Sequence, residues 1–171
     1  MVFFIFLMYC RVQIHSMNIF LEKFVKETFS KAGRALDLGA GNFFDVACMR
    51  QMGWECEGVD LNTGVDLEKP YKLDKGLRDL VYSNYLVHKL KNREQFYKTI
   101  RDNLKNGGWI FINTFDASDR NSMSKLTHLI LEKELEKHGF TNVKTEVFSY
   151  YDNDFGHKHW HKILQATGQK R

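Results

Sequence analysis

At 171 residues, 43% of them hydrophobic and 27% charged, the chain suits one domain with a sizeable core and is too short for two. A formal net charge of +4 spread over scattered lysines and arginines gives no concentrated basic patch and so does not argue for a nucleic-acid partner. Three cysteines, Cys10, Cys48 and Cys56, show no C-x-x-C spacing and read as the reduced thiols of a cytoplasmic protein.

The opening MVFFIFLMYC is apolar over about half the length that a membrane span needs. It lacks the basic flank and small-residue cleavage site of a signal peptide. Residues 1–16 are therefore expected to be an extension of doubtful role, with Met8 and Met17 as alternative starts, and residues 17–171 a single domain. Leu21, Phe24, Val25, Thr28 and Phe29 then recur at helical spacing, with Glu22, Lys23, Lys26 and Glu27 opposite.

A short strand, Ala35 to Leu38, stops at Gly39-Ala40-Gly41. A helix follows with Phe44, Ala47, Cys48 and Gln51 on one face, and Gly53 ends it. A second strand, Trp54 to Val59, closes on Asp60. Strand, glycine turn, helix, strand, acid is the order in which α/β proteins hold a nucleoside. Glycines let the backbone approach the ligand, the helix N-terminus points free N–H groups at it, and a carboxylate after the second strand takes both ribose hydroxyls. Phe44 stands where a dinucleotide fingerprint has its third glycine. Asp37, two residues before the turn, repels a pyrophosphate but attracts an ammonium or sulfonium.

Leu61 to Arg78 has no helical period and holds the only proline, Pro70. Leu80, Val81 and Tyr82 form the next strand, and Ser83 and Asn84 break it. This places Asn84, Tyr85 and His88 at a strand's carboxyl end, where a doubly wound sheet binds its ligand, with His88 a candidate acid or base. Asn92 caps a helix carrying Phe96, Ile100 and Leu104, which Asn106-Gly107-Gly108 is expected to end. Trp109 to Thr114 is a strand, followed by a polar loop in which Asp116 and Asp119 are candidate substrate residues. Leu126, Leu129, Ile130 and Lys133 mark a last helix. Two strands, 142–151 and 157–166, close the chain. His157, His159 and His161 alternate onto one face of the final strand. Their Cα spacing of about 6.5–7 Å strains any shared metal, so a histidine facing a substrate pocket, His159 among the candidates, is preferred to a metal site, and simple strand packing, with Trp160 and Leu164 on the other face, is preferred to both.

The D-x-G-x-G of Asp37, Gly39 and Gly41, with its closing Asp60, resembles motif I of the class I S-adenosylmethionine (SAM) methyltransferases. The run N-R-E-Q-F…L-K-N-G-G-W-I-F-I is similar to the helix and strand after motif IV, so the resemblance spans Leu36 to Thr114. It is nearest the small bacterial tellurite-resistance-like domains. It implies a three-layer, Rossmann-like α/β fold: a mostly parallel seven-stranded sheet with an antiparallel C-terminal hairpin. It also implies SAM as cofactor, with Asp37 near the methionine amino group and Gly39, Ala40 and Gly41 beside the cofactor. Asp60 and Leu61 would lie at the ribose, Asp66 and Leu67 at the adenine, and Asn84 and Tyr85 alongside. His88, Asp116 and His159 are the candidate catalytic groups.

There are three departures from the family. Phe43 replaces a usual glycine. The helix after Asp60 is deleted, leaving Val65–Leu67 as an expected vestigial edge strand. Asn84-Tyr85-Leu86-Val87 lacks the prolines of the N-P-P-Y turn that nucleic-acid amino methylases carry. The expected activity is direct methyl displacement onto a small-molecule acceptor, without nucleic acid or a membrane span. A SAM-binding protein without catalysis and a nicotinamide oxidoreductase are the alternatives. The acceptor and the oligomeric state stay open.

Overall fold

The computed structural model describes residues 17–153 and 158–171. The expectations placed on residues 1–16 and on His157 lie outside them. In chain order the elements are α1 (Ile19–Thr28), β1 (Arg34–Leu38), α2 (Phe44–Gln51), β2 (Glu55–Val59), β3 (Arg78–Asn84), α3 (Arg93–Asn103), β4 (Leu104–Phe115), α4 (His128–Lys137), β5 (Phe140–Asp152) and β6 (His159–Lys170). The strands form one sheet in the order β2-β1-β3-β4-β6-β5. The first four run parallel, and β6 is antiparallel to both β4 and β5. This is the expected three-layer α/β architecture with its closing hairpin.

Strand alternation sorts the core into two layers. Leu36, Leu38, Val81, Ile110 and Ile112 face Phe96 and Ile100 of α3 and Leu131 and Leu135 of α4. Ala35, Leu80, Tyr82 and Phe111 face Leu21 and Val25 of α1 and Val46 and Met49 of α2. Each large apolar side chain so buried contributes about 1.5–3 kcal/mol. Asn18 caps α1 by accepting from the Phe20 and Leu21 N–H groups. Sequence order reverses between β1 and β3, and this switch point opens a crevice at their carboxyl ends.

Five expectations need correction, the face of the last helix among them: α4 buries Leu131 and Leu135, whereas Leu129 and Ile130 are exposed and Leu126 precedes it. Among the described residues the sheet has six strands, not seven, and Val65–Leu67 is not one of them. Asp60 and Thr63 cap a single 3-10 turn reciprocally, Gly64 takes the left-handed conformation, and the Val65 N–H returns to the Asp60 carbonyl. The chain therefore turns under the sheet, where Leu67 joins the core, and β2 is left as the edge strand. In α2 the buried face is Val46 and Met49, whereas Ala47 and Gln51 are exposed. Finally, α3 ends at Asn103, not at Asn106-Gly107-Gly108, because β4 begins directly at Leu104 and absorbs that segment as an irregular start.

Candidate functional site

The glycine turn at the switch point is fixed from below and from the side. Gly39 and Ala40 both donate to the Val59 carbonyl, at 2.8 and 3.0 Å. Gly39 has φ +88°, and a Cβ there would lie 2.6 Å from Leu86 Cδ2. The Gly41 N–H donates to Asp60 Oδ2 at 3.1 Å, while Asp60 Oδ1 accepts from the Asn62 N–H at 2.9 Å. The acid that ends β2 thus braces the turn that ends β1. Phe43 sits at the start of α2 with φ +63°. Its ring turns toward Gly58 and lines a groove on the β2 side.

A cavity of about 510 Å³ opens on the other side of the turn. Its first wall is Ala40, Asn42, Phe44 and Asp45, from the turn and the start of α2. Asn84, Tyr85 and Phe115 form the second, at the ends of β3 and β4, and Tyr150, Asp152 and His161 of the hairpin form the third. The start of α1 covers it through Asn18, whose N–H donates to Asp45 Oδ1 at 2.9 Å. Asp45 Oδ2 accepts from Asn84 Nδ2 at 2.7 Å, so one carboxylate ties α1, α2 and β3 together. Tyr85 has φ +55°, and its N–H is held by the Asn113 carbonyl at 2.7 Å. Such conformations cost about 1–3 kcal/mol each and cluster at functional sites. Two of the three described non-glycine residues with positive φ, Phe43 and Tyr85, flank this turn.

Asp37 lies behind the wall rather than in it. It is 3% exposed, hydrogen-bonded to Tyr82, and its Oδ1 has no partner among the described residues. Burial, and then the charges of Asp45 and Asp60, push its pKa well above the usual carboxylate value. An unfolded chain releases this proton near pH 4, whereas the folded chain holds it, so Asp37 costs stability as pH rises above about 4. Asp37→Asn is therefore expected to melt higher than wild type at pH 7, by a margin that shrinks toward pH 4. Thermal melts across that range check it, and a margin that stays constant would contradict the charge argument.

The remaining candidates take distinct places. His88 Nδ1 meets Thr114 Oγ1 at 2.8 Å and its ring packs on Phe115, outside the cavity lining. Burial, then Lys89, lowers its pKa to about 4, against the pull of Asp119, so it is neutral at pH 7. Asp116 Oδ1 accepts from the Ser118 N–H at 2.9 Å and from its hydroxyl, shaping the loop after β4. His159 is half-buried, with its ring 4.4 Å from that of His161. Of the two described hairpin histidines, it is His161 that lines the cavity. His161 Nδ1 meets Asp119 Oδ2 at 2.9 Å. Asp66 stands apart with Oδ1 on the Glu68 N–H and Oδ2 beside Lys69; Leu61 is 72% exposed beside Asp60.

The sequence profile of a methyltransferase domain matches residues 14–167. The chain belongs to this methyltransferase domain family. A search of curated protein sequences returned no match. Among solved structures, the methyltransferase domain is similar to a SAM-dependent methyltransferase from Archaeoglobus fulgidus, with TM-score 0.66 and 17% identity over 88% of this chain and 91% of that one. It is similar to a possible histamine N-methyltransferase from Thermotoga maritima, with TM-score 0.60 and 14% identity over 87% of each chain. It is also similar to phosphoethanolamine N-methyltransferase 2 of Haemonchus contortus, solved with phosphomonomethylethanolamine and S-adenosylhomocysteine. There the TM-score is 0.65 and identity 16% over 88% of this chain but 52% of that one, so this chain spans about half of that enzyme's length.

SAM is the cofactor of the family, and the residues present fit it. The turn offers a close backbone approach at Gly41, where no atom lies within 4 Å of a built Cβ. The Asp45 carboxylate lines the cavity, suiting a ligand that carries an ammonium and a sulfonium. No helix of the described residues is long and apolar enough to cross a membrane. Sequence reasoning missed Asp45, whose signal was an acid in the first helical turn after the glycines, and Asn18, visible as the cap of α1. It also missed the pairing of His161 with Asp119, 42 residues apart.

Proposed function

We propose that this methyltransferase domain transfers the methyl group of SAM to a small-molecule acceptor. The observation that carries the reading is the cavity, whose volume of about 510 Å³ suits a metabolite-sized ligand and which joins the motif I turn to the ends of β3, β4 and the hairpin. Gly39, Ala40 and Gly41 would present backbone to the cofactor. Asp60 with Leu61 would take the ribose, Asp66 with Leu67 the adenine edge, and Asn84 and Tyr85 the methionine end. Asp60 suits its role because each of its oxygens holds one backbone N–H and keeps acceptor capacity.

When bound, SAM supplies a methyl group already activated on a sulfonium. The chain's own residues align the two reactants and exclude water around them. Phe20, Phe44, Tyr85 and Phe115 give the cavity an apolar lining for this, and the Asp45 carboxylate stands at its inner end. The Haemonchus enzyme, with a small phosphorylated amine bound, is a precedent for a compact acceptor on this fold. A non-catalytic SAM-binding reading would need Phe43 and the missing helix to leave the site closed; the Phe43 ring turns to the β2 side, away from the cavity.

The test is methyl transfer from labelled SAM into fractionated cell extract. Label is expected in the small-molecule fraction. Label appearing only in RNA, DNA or protein would end the reading, because a nucleic-acid acceptor needs the concentrated phosphate contacts that the scattered basic charge does not give.

A further inference from the structure

We infer that His161, oriented by Asp119, is the general base that takes a proton from the methyl acceptor. The inference rests on the methyl-transfer reading and adds an acceptor class to it: a protic nucleophile, such as an amine, hydroxyl or thiol that must lose a proton to be methylated.

The geometry fixes both ends of the imidazole. Asp119 is 4% exposed and sits in the loop after β4, which is pinned to β6 by the Asp116 N–H on the Lys162 carbonyl at 2.9 Å. Its Oδ2 accepts from the Lys162 N–H at 2.6 Å and faces His161 Nδ1 at 2.9 Å, while its Oδ1 accepts from the Asn121 N–H at 2.7 Å. Burial raises the Asp119 pKa, but these donors outweigh it and hold the carboxyl below its usual value, so it is ionised at neutral pH. An ionised carboxylate only accepts, so Nδ1 carries the hydrogen, and in the neutral ring this leaves the lone pair on Nε2. Nε2 lies on the side of the ring away from Asp119, and His161 is a wall of the cavity. The rings of Phe115 at 4.7 Å and His159 at 4.4 Å hold the imidazole in place.

The other candidates lack one of these features. His88 spends Nδ1 on Thr114 and lies outside the lining. Asp116 is committed to Ser118. The titratable groups that face His161 are Asp119 and His159 beside it, Tyr150 across the strand pair, and Asp45, Tyr85 and Asp152 around the cavity. Behind Phe115, His88 is neutral at pH 7. In the step, a lone pair on the acceptor atom bonds to the methyl carbon as the carbon–sulfur bond breaks and its electrons pass to sulfur. The acceptor's proton moves to Nε2, and solvent later removes it. Such a base contributes about 10²–10⁴-fold.

Two measurements test this. By ¹⁵N NMR of the full chain, His161 is expected to be the Nδ1–H tautomer at pH 8, and Asp119→Asn to give a mixture. An Nε2–H ring in wild type would overturn the assignment without any assay of turnover. In the second, the compound labelled in extract is isolated and used as acceptor. His161→Gln is expected to bind SAM and melt within a few degrees of wild type. Its kcat should fall at least 100-fold with KM little changed. A loss of rate toward acid pH is expected in wild type and its absence in His161→Gln. Full rate with an unchanged pH profile in His161→Gln would overturn the base while leaving methyl transfer standing. No transfer by wild type to any fraction would end the methyl-transfer reading and the base with it.

Discussion

Gly39→Ala is expected to destabilise the domain by about 2–4 kcal/mol and to abolish measurable SAM binding. Two costs add at this position. The backbone holds φ +88°, which a side chain rarely adopts, and the new Cβ would meet Leu86 at 2.6 Å from Cδ2 and 3.2 Å from Cβ. The terminal methyl of Leu86 can swing away, but its Cβ moves only with the backbone. Leu86 directly follows Tyr85, itself in the left-handed region and part of the cavity wall, so relief of the clash distorts the site. For a domain of this size the loss corresponds to roughly 4–15 °C in melting temperature. Gly41→Ala is the matched control: φ is +52° and nothing lies within 4 Å of the added carbon, so only the backbone term of about 1 kcal/mol applies. Equal losses for the two variants, measured by thermal melting, would refute the packing argument.

Asp60→Ala is expected to weaken SAM binding by about 1.5–3 kcal/mol, roughly 10- to 150-fold in Kd. The carboxylate has two tasks in one place. It would accept the ribose hydroxyls, and it already holds the Gly41 and Asn62 N–H groups that shape the turn and the 3-10 segment after it. Asp60 is partly exposed, so water replaces much of what the backbone loses, and the fold is expected to suffer less than the site. Asp60→Asn keeps one acceptor oxygen and should fall between wild type and alanine. Unchanged affinity in the alanine variant, measured by calorimetry, would remove Asp60 from the ribose site.

What the sequence made legible and what it hid divide along physical lines. The glycine turn, β1, β2 and Asp60 were readable because a tight turn and a strand-ending acid are local, and local chemistry is printed in adjacent residues. The buried face of α2 was not. In a helix of eight residues, Val46 with Met49 and Phe44 with Ala47, Cys48 and Gln51 both satisfy helical spacing, and only contact with β1, β3 and α1 selects the first pair. Val65–Leu67 has strand-forming residues, yet the Asp60–Thr63 capping pair and the turn at Gly64 redirect the chain before it reaches β2. Alternation placed His159 and His161 on one face of β6, correctly as a pattern. Which of them meets the cavity depends on the loop carrying Asp119, a partner that strand period cannot reveal. Asp37 was legible as an acid before the turn, but that its side chain points into the α1–α2 layer follows from the register of β1 against Gly58 and Tyr82.

The most direct test of the cofactor site is calorimetry on the full chain with SAM and, separately, with NADH. The expected result is one SAM bound per chain, no heat from NADH, and a SAM affinity that drops at least tenfold in Asp60→Ala. Binding of NADH with no response to SAM would contradict the central claim.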